Sequence, residues 1–373
     1  MTSDFDSLED LQTPALVIDL DCVRENVEAM RLRLGGDIGR WQPHIKTAKV
    51  PEVFKILLEA GVCRFKCATT REAACLLGTA EHSIELVVAM AHHGPKLKRL
   101  SQLAADYPEH EVSLLSEDPA HSVAIQEESE LLGIWVDIDP GQGRSGIPLN
   151  QRERIQATST AAGSRLRGLH FYEGDVRDDD PARRAAACEP LFRGLCDLAN
   201  HLDKSRGPAG AEGRLSLLTS GTPTFEAALD WSGFNDRDHR VSPGTVVYWD
   251  STSQAFGIPG FSVAATVLSQ VISRPSRFQF TCDAGSKALD SSCENPIASV
   301  AGENSWVAQS ASEEHLPFVA VDGDAPAIGV TLELIPRHVC PTVNLADDAI
   351  LVESGNSPKC ASVTARGHEN LSR

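Results

Sequence analysis

No Cys-x-x-Cys pair occurs in these 373 residues, although ten cysteines do. Scattered at positions 22, 63, 67, 75, 188, 196, 282, 293, 340 and 360, they suit neither a zinc knuckle nor a disulfide framework. Reduced thiols in a cytoplasmic protein are the expectation. Basic charge is also short: 34 Lys and Arg stand against 52 Asp and Glu, for a net charge of -18. That balance argues against nucleic acid or an anionic membrane as partner, since either demands a basic footprint. A local positive pocket could still take a small anion. No run reaches the ~18 apolar residues of a membrane span. The acidic stretch Met1–Asp10 lacks the basic and apolar regions of a secretory signal. Internal repeats and low-complexity tracts are absent too.

What is present is an ordinary globular composition, 42% apolar and 23% charged, long enough for two domains. Pro14–Leu20 reads as a strand and Cys22–Leu34 as a helix, with Val23, Val27, Met30 and Leu34 at helical spacing. From Ile38 onward strands and helices alternate. Strands are expected at 38–46, 64–69, 84–91, 111–115, 133–138, 166–172, 215–219 and 240–249. Helices between them fall near 53–60, 71–77, 96–107, 120–132, 152–162, 182–202 and 224–229. An open doubly wound sheet shares this signature, but eight units over about 220 residues favour an α/β fold of the (β/α)8 TIM-barrel type. Asp203–Arg214 reads as a surface loop. After Ser251 short strand-like runs (264–272, 278–282, 306–308, 327–336, 349–352) replace helical periods, which indicates a second, mainly β domain. The expected division is a barrel over 22–250 and a β domain from 1–21 plus 251–373, its last residues, Cys360–Arg373, frayed.

Several stretches carry chemistry. Gln42-Pro43-His44-Ile45-Lys46-Thr47 puts a lysine where a strand hands over to a helix, with His44 on the same strand face. Barrel active sites sit at the C-terminal mouth of the strands. Desolvation there lowers a lysine pKa and frees the amine for covalent work; taken alone, Lys46 reads equally as a solvated surface lysine. Thr219-Ser220-Gly221-Thr222-Pro223-Thr224 and Ser242-Pro243-Gly244-Thr245 offer backbone N–H groups and hydroxyls at the barrel end that commonly holds phosphate. The first of them also reads as an unliganded N-cap turn. Arg144 sits in a Gly-rich loop after the fifth strand, and Gly168-Leu169-His170-Phe171-Tyr172-Glu173-Gly174-Asp175 ends the sixth, placing His170 and Tyr172 on one face. His338-Val339-Cys340, read as a strand, would project two metal ligands from one face. Spacing alone suits a buried His beside a Cys just as well. The adjacent His92 and His93 read as surface residues.

Pro43-His44-Ile45-Lys46-Thr47, following Thr13-Pro14-Ala15-Leu16-Val17-Ile18-Asp19-Leu20-Asp21, resembles the fold-type III pyridoxal-phosphate enzymes, in particular the D-serine dehydratase and D-threonine aldolase branch. His338-Val339-Cys340-Pro341-Thr342-Val343-Asn344-Leu345 is similar to a dehydratase segment in which aldolases carry Asp for Cys. The resemblance spans about residues 12–353 and includes Asp283–Leu289 and Ser312–His315, with His315 a candidate neighbour of the metal. It implies that Lys46, not Lys49, carries pyridoxal 5'-phosphate as a Schiff base. Arg144 would sit beside the phenolic oxygen and Tyr172 against the ring. Ser220, Gly221, Thr222, Gly244 and Thr245 would hold the phosphate, with Val246 replacing the family's usual aromatic residue. His338 and Cys340 would bind a divalent metal, and a thiolate favours Zn²⁺ over the alternatives Mn²⁺ and Mg²⁺. Lys46, His44, Tyr172 and Asp175 form the expected catalytic set; Asp175 stands where the aldolase branch has a histidine. The activity implied is elimination of water from a small D-β-hydroxy amino acid such as D-serine, the product hydrolysing to a keto acid and ammonia. Aldolase-type cleavage to glycine and an aldehyde is the alternative. An amino-acid racemase and a noncatalytic pyridoxal-phosphate-binding protein are the remaining readings. A homodimer is expected by analogy.

Overall fold

The structure, a computed structural model, describes residues 11–206 and 214–370. They form two compact units. One comprises 11–30, 47–56 and 245–366, and the other comprises 31–46, 57–206, 214–244 and 367–370.

The apolar, β-branched run β1 (Ala15–Asp19) passes directly into α1 (Leu20–Arg33). Asp19 starts the helix by accepting the N–H groups of Asp21 and Cys22. The strand expected over Ile38–Lys46 is not formed. Asp37 instead caps a 3₁₀ turn over Ile38–Arg40, and the chain then runs extended with isolated bridges from Trp41 to Val241 and from His44 to Lys66. Pro43 explains why no ladder develops, since it has no N–H to donate. The segment makes single bonds from Gln42 N–H to the Val241 carbonyl and from Ile45 N–H to the Lys66 carbonyl, while Lys66 N–H donates to the Pro43 carbonyl.

After α2 (Pro51–Glu59) come parallel strands and helices in alternation: β2 (Arg64–Cys67), α3 (Thr70–Thr79), β3 (Glu85–Val88), α4 (Pro95–Asp106), β4 (Glu111–Ser116), α5 (Pro119–Glu128) and β5 (Gly133–Asp139). The two-residue β6 (Ile147–Pro148), α6 (Arg152–Ala162), β7 (Leu166–Phe171), α7 (Pro181–Arg206), β8 (Ser216–Thr219), α8 (Phe225–Asp230) and β9 (His239–Val241) complete the series. Local chemistry sets several starts: Thr69 and Glu72 form a capping box on α3, and Asp118 caps α5 with Pro119 behind it. The strands order as β2-β3-β4-β5-β7-β8-β9, with β6 beside β5. The extended segment at 41–44 bridges both edge strands, so the curled sheet has the eight-fold period of a (β/α)8 barrel, closed by single bridges. Val87, Leu115, Trp135 and Leu218 pack together in one core cluster. The loop expected over 203–214 starts later, because 203–206 still belong to α7; residues 207–213 lie outside the described residues. So do Met1–Asp10, read above as an acidic start.

The extended run expected over Arg240–Trp249 is also shorter than read. β9 ends at Val241, and a 3₁₀ turn at Thr245–Val247 precedes α9 (Ser251–Ala255). The β unit then adds β10 (Ala265–Ser276), β11 (Gln279–Cys282), β12 (Ala298–Val300), β13 (Trp306–Ala308), β14 (Leu316–Ala320), β15 (Thr331–Pro336), α10 (Val339–Leu345), β16 (Asp348–Val352) and β17 (Lys359–Ser362). Its sheet orders as β13-β14-β11-β10-β1-β16-β17, with β15 paired to β10 and β12. β1 joins it as expected, antiparallel to β10 (Ala15 opposite Leu268) and parallel to β16 (Val17 opposite Ile350). Phe280 and Phe318 stack at 4.9 Å in its core. The strands β12, β14 and β17 were not expected from the sequence. The short runs of the first two, and the polar tail holding the third, show no clear alternation.

Candidate active site

Within the barrel unit the chemistry converges on a lysine that the sequence motifs do not single out. Lys66 lies on β2 and is 4% exposed. Its Nζ is 3.5 Å from Nε2 of His170 and 5.5 Å from the centre of the Tyr172 ring. His170 Nδ1 is 2.7 Å from Asp137 Oδ1, and Ser145 donates to Asp137 Oδ2 at 3.1 Å. Adjacent strands produce this pairing, because Asp137 on β5 stands directly opposite His170 on β7. The Arg144 guanidinium lies over the Tyr172 ring at 4.9 Å.

Burial controls the charges. It pushes the Lys66 amine down to about 7, helped by the neighbouring Lys46 and Arg144 and opposed by Glu173 and Asp137. His170 is held below its ordinary value, first by burial and then by the cations, against the pull of Asp137. Burial pushes Asp137 up, but His170, Ser145 and Arg144 outweigh it and keep the carboxyl below its ordinary value. The consistent assignment is a neutral imidazole that donates from Nδ1 to an ionised Asp137 and accepts from Lys66 at Nε2. Glu173, also buried, is raised by burial despite bonds from Ser220 and Thr224. Thr224 Oγ1 donates to its Oε1 at 2.7 Å, while Oε2 has no partner.

Of the expected residues, Lys46, Arg144 and Tyr172 lie at this cluster. Lys46 is exposed, so the expected desolvation falls on Lys66 instead. His44 is half-buried and accepts the Lys46 backbone N–H at Nδ1, 3.2 Å away, in a local turn rather than along a strand face. Tyr172 follows directly after β7; Gly221 leaves room for its ring, since a Cβ there would come within 2.8 Å of Tyr172 Cε2. Ser220 is fully buried at φ 58°, a strained conformation for a non-glycine residue. Its carbonyl and that of Thr219 both accept the Ser242 N–H, which ties the loops after β8 and β9 together. Thr222 is buried in the first loop, and Gly244 follows Ser242 and Pro243 in the second. Asp175 is exposed in the turn after Gly174. His92 is buried rather than on the surface, with Nε2 3.1 Å from the Ala68 carbonyl, while His93 is exposed. Lys66 had a signal in the sequence after all: it is a charged residue between Phe65 and Cys67 in a run that reads as buried strand.

In the β unit the His338 and Cys340 pair is arranged differently from the reading above. His338 is the N-cap of α10 and Cys340 sits in its first turn, so the two do not project from a strand face. Cys340 Sγ lies 3.0 Å from Thr47 Oγ1 and 3.7 Å from Thr245 Oγ1, and Lys49 Nζ donates to the Cys340 carbonyl at 3.1 Å. His338 Nδ1 is 3.6 Å from Asp290 Oδ2. His315 is exposed in the turn before β14, where Ser312 N–H donates to its carbonyl. Among the described residues no group of three or more His, Cys, Asp or Glu is placed to hold a metal. None of the ten cysteines is in a disulfide. Among the described residues no helix is long and apolar enough to cross a membrane.

Both implied cofactors fit what is there. Lys46, Lys66 and Arg144 bring like charges together in a chain of net charge -18, an arrangement that an anionic phosphorylated ligand relieves. A nitrogen and a sulfur donor backed by a buried carboxylate oxygen without a partner suit a borderline-soft divalent cation.

The chain matches the alanine racemase N-terminal domain over residues 18–249 and a putative serine dehydratase domain over residues 264–352. It is 27% identical to a D-threonine aldolase of Arthrobacter sp., covering 97% of this chain and 94% of that protein. Identity to a D-threo-3-hydroxyaspartate dehydratase of Delftia sp. (strain HT23) is 26%, over 90% of this chain and 93% of the other. The structure of a D-threonine aldolase from Filomicrobium marinum superposes with a TM-score of 0.81 at 25% identity, covering 96% of this chain and 97% of that one. On these matches the chain belongs to the alanine racemase N-terminal domain family, among the fold-type III pyridoxal-phosphate enzymes that its motifs resemble.

Proposed function

We propose that this chain is a pyridoxal-phosphate- and divalent-metal-dependent lyase that eliminates water from a D-β-hydroxy amino acid, the product hydrolysing to a keto acid and ammonia, in the manner of a D-serine dehydratase. The observation that carries the reading is the gathering of Lys46, Lys66 and Arg144 around Tyr172 and the His170–Asp137 pair. In this reading Lys46 would hold the cofactor and would also be the base for the α-proton. Arg144 holds the phenolic oxygen ionised, and Tyr172 presents its ring to the cofactor. Ser220, Gly221, Thr222, Gly244 and Thr245 bind the phosphate, with the strained Ser220 fixing the direction of the loop amides. When bound, the cofactor supplies an electron sink for charge left at Cα, and the metal on His338 and Cys340 supplies a Lewis acid for the β-hydroxyl. The hydroxyls of Thr47 and Thr245 lie 3.0 and 3.7 Å from the Cys340 sulfur. Zn²⁺ is the metal this donor pair favours.

Cys340, rather than the aspartate usual in aldolases, and Asp175, rather than histidine, favour elimination. Retro-aldol cleavage is the second reading, and the relative named D-threonine aldolase, 27% identical, supports it. Incubating purified protein with D-serine, D-threonine and D-3-hydroxyaspartate, with and without chelator, separates them. Keto acid and ammonia support the dehydratase reading, while glycine and an aldehyde replace it with the aldolase one. Appearance of the opposite stereoisomer alone overturns both. Lys46→Ala removes the attachment point, so borohydride then fixes no cofactor to the chain.

A further inference from the structure

We propose that Asp290 is the positioning residue of the metal histidine: its buried carboxylate holds His338 through Nδ1, which orients the ring and leaves Nε2 to ligate. The inference rests on the metal reading of His338 and Cys340.

Asp290 is 7% exposed and is held on three sides. Its N–H donates to Thr342 Oγ1 at 3.1 Å, and the Thr342 hydroxyl donates to the His338 carbonyl at 2.9 Å. One side chain on α10 thereby ties the backbones of carboxylate and histidine together. Asp290 Oδ1 accepts both the N–H and the hydroxyl of Ser292, at 3.0 and 2.7 Å. These bonds fix the plane of the carboxylate. Oδ2 remains, buried and without a hydrogen-bond partner, 3.6 Å from His338 Nδ1. A buried carboxylate oxygen without a donor is unfavourable, so a role that supplies the donor accounts for it. The His338 side chain is 47% exposed and can turn to close that distance.

The other nearby carboxylate is already engaged. Asp250 accepts Ser253 N–H at Oδ1 (2.8 Å) and Val339 N–H at Oδ2 (3.0 Å). With no third ligand grouped with His338 and Cys340 among the described residues, Asp290 acts behind the imidazole and not on the cation. A carboxylate paired with the far nitrogen of a ligating histidine fixes its tautomer and raises its basicity.

The test titrates Zn²⁺ into the cofactor-loaded protein in competition with a chromophoric chelator. Asp290→Asn is expected to weaken Zn²⁺ binding by about 10–100-fold, while the unfolding temperature of the chelator-treated protein stays that of the parent. Ser292→Ala keeps the carboxylate and the backbone N–H bond to Oδ1 but removes the hydroxyl bond, and is expected to lose affinity by a smaller factor. Unchanged affinity in Asp290→Asn overturns the proposal; if that variant does not fold, unchanged affinity in Ser292→Ala overturns it. His338→Ala separates the two levels. If it binds Zn²⁺ like the parent, the metal reading itself fails. If it loses Zn²⁺ while Asp290→Asn does not, only the role of Asp290 falls.

Discussion

Lys66 shows how much one buried charge can matter. Its amine is held at about 7, against an ordinary 10.5, chiefly by burial. Below pH 7 it is protonated in the folded and unfolded chain alike, and the folded state bears the full penalty. Between about 7 and 10.5 the folded amine is neutral while the unfolded one still binds a proton, so the penalty fades and stability climbs with pH. Lys66→Met in the cofactor-free protein is therefore expected to be more stable than the parent by roughly 2–5 kcal/mol below pH 7. The difference should shrink toward pH 10, as read by urea unfolding across that range. A constant difference would mean that charge burial is not the cause. Lys46 was legible in the sequence because a dipeptide-spaced motif surrounds it; Lys66 carried only the weak signal of a charge inside a buried-strand run, and no local pattern marks Asp290. Lys66 becomes notable only when β5 and β7 bring Asp137 and His170 beside it.

At the scale of elements, two junctions decide the geometry. Asp250 caps α9 through Ser253 N–H and also accepts the first N–H of α10 at Val339. Asp250→Ala removes both bonds from a buried site and should cost ~2–4 kcal/mol, seen as a lower urea midpoint with an unchanged slope. The loop between β8 and α8 depends on Gly221. Gly221→Ala drives a methyl into the Tyr172 ring, and cofactor affinity should fall about tenfold, measured by visible absorbance titration; parental affinity would show that the ring is not part of the cofactor site. Element type was readable wherever periodicity ran long, as in α4, α6 and α7. It failed at His338–Leu345, where Val339 and Val343 look strand-like. Pro341 suits a helical first turn, and the Asp250 carboxylate that accepts the Val339 N–H comes from a residue far away in sequence. It failed again at 38–46, where Pro43 denies the ladder its donor.

For the whole molecule, stability should depend on what is bound. A cofactor that binds only the folded chain adds RT ln(1 + [L]/Kd), or ~2.7 kcal/mol at a hundredfold excess over Kd. Pyridoxal phosphate and Zn²⁺ should each raise the unfolding temperature, and a chelator should remove the metal's share alone. Lys46→Ala should abolish most of the first rise and leave the second. The strong negative charge, -18, makes the cationic cluster of the barrel unit stand out. Lys46 and Arg144, two of its three cations, are exposed, so salt should weaken binding of the anionic cofactor by screening them.

By itself the sequence determined the alternation of strand and helix, the change to β structure after residue 251 and, through motifs spread over about residues 12–353, the resemblance to the family. The first two are carried by residues within a few positions of one another. Tertiary structure alone decided which lysine is buried, which imidazole is neutral, and that the histidine and cysteine sit at a helix start. The physical reason is common to the three. Burial and long-range pairing set charge and backbone geometry there, and neither is encoded in the spacing of neighbours along the chain.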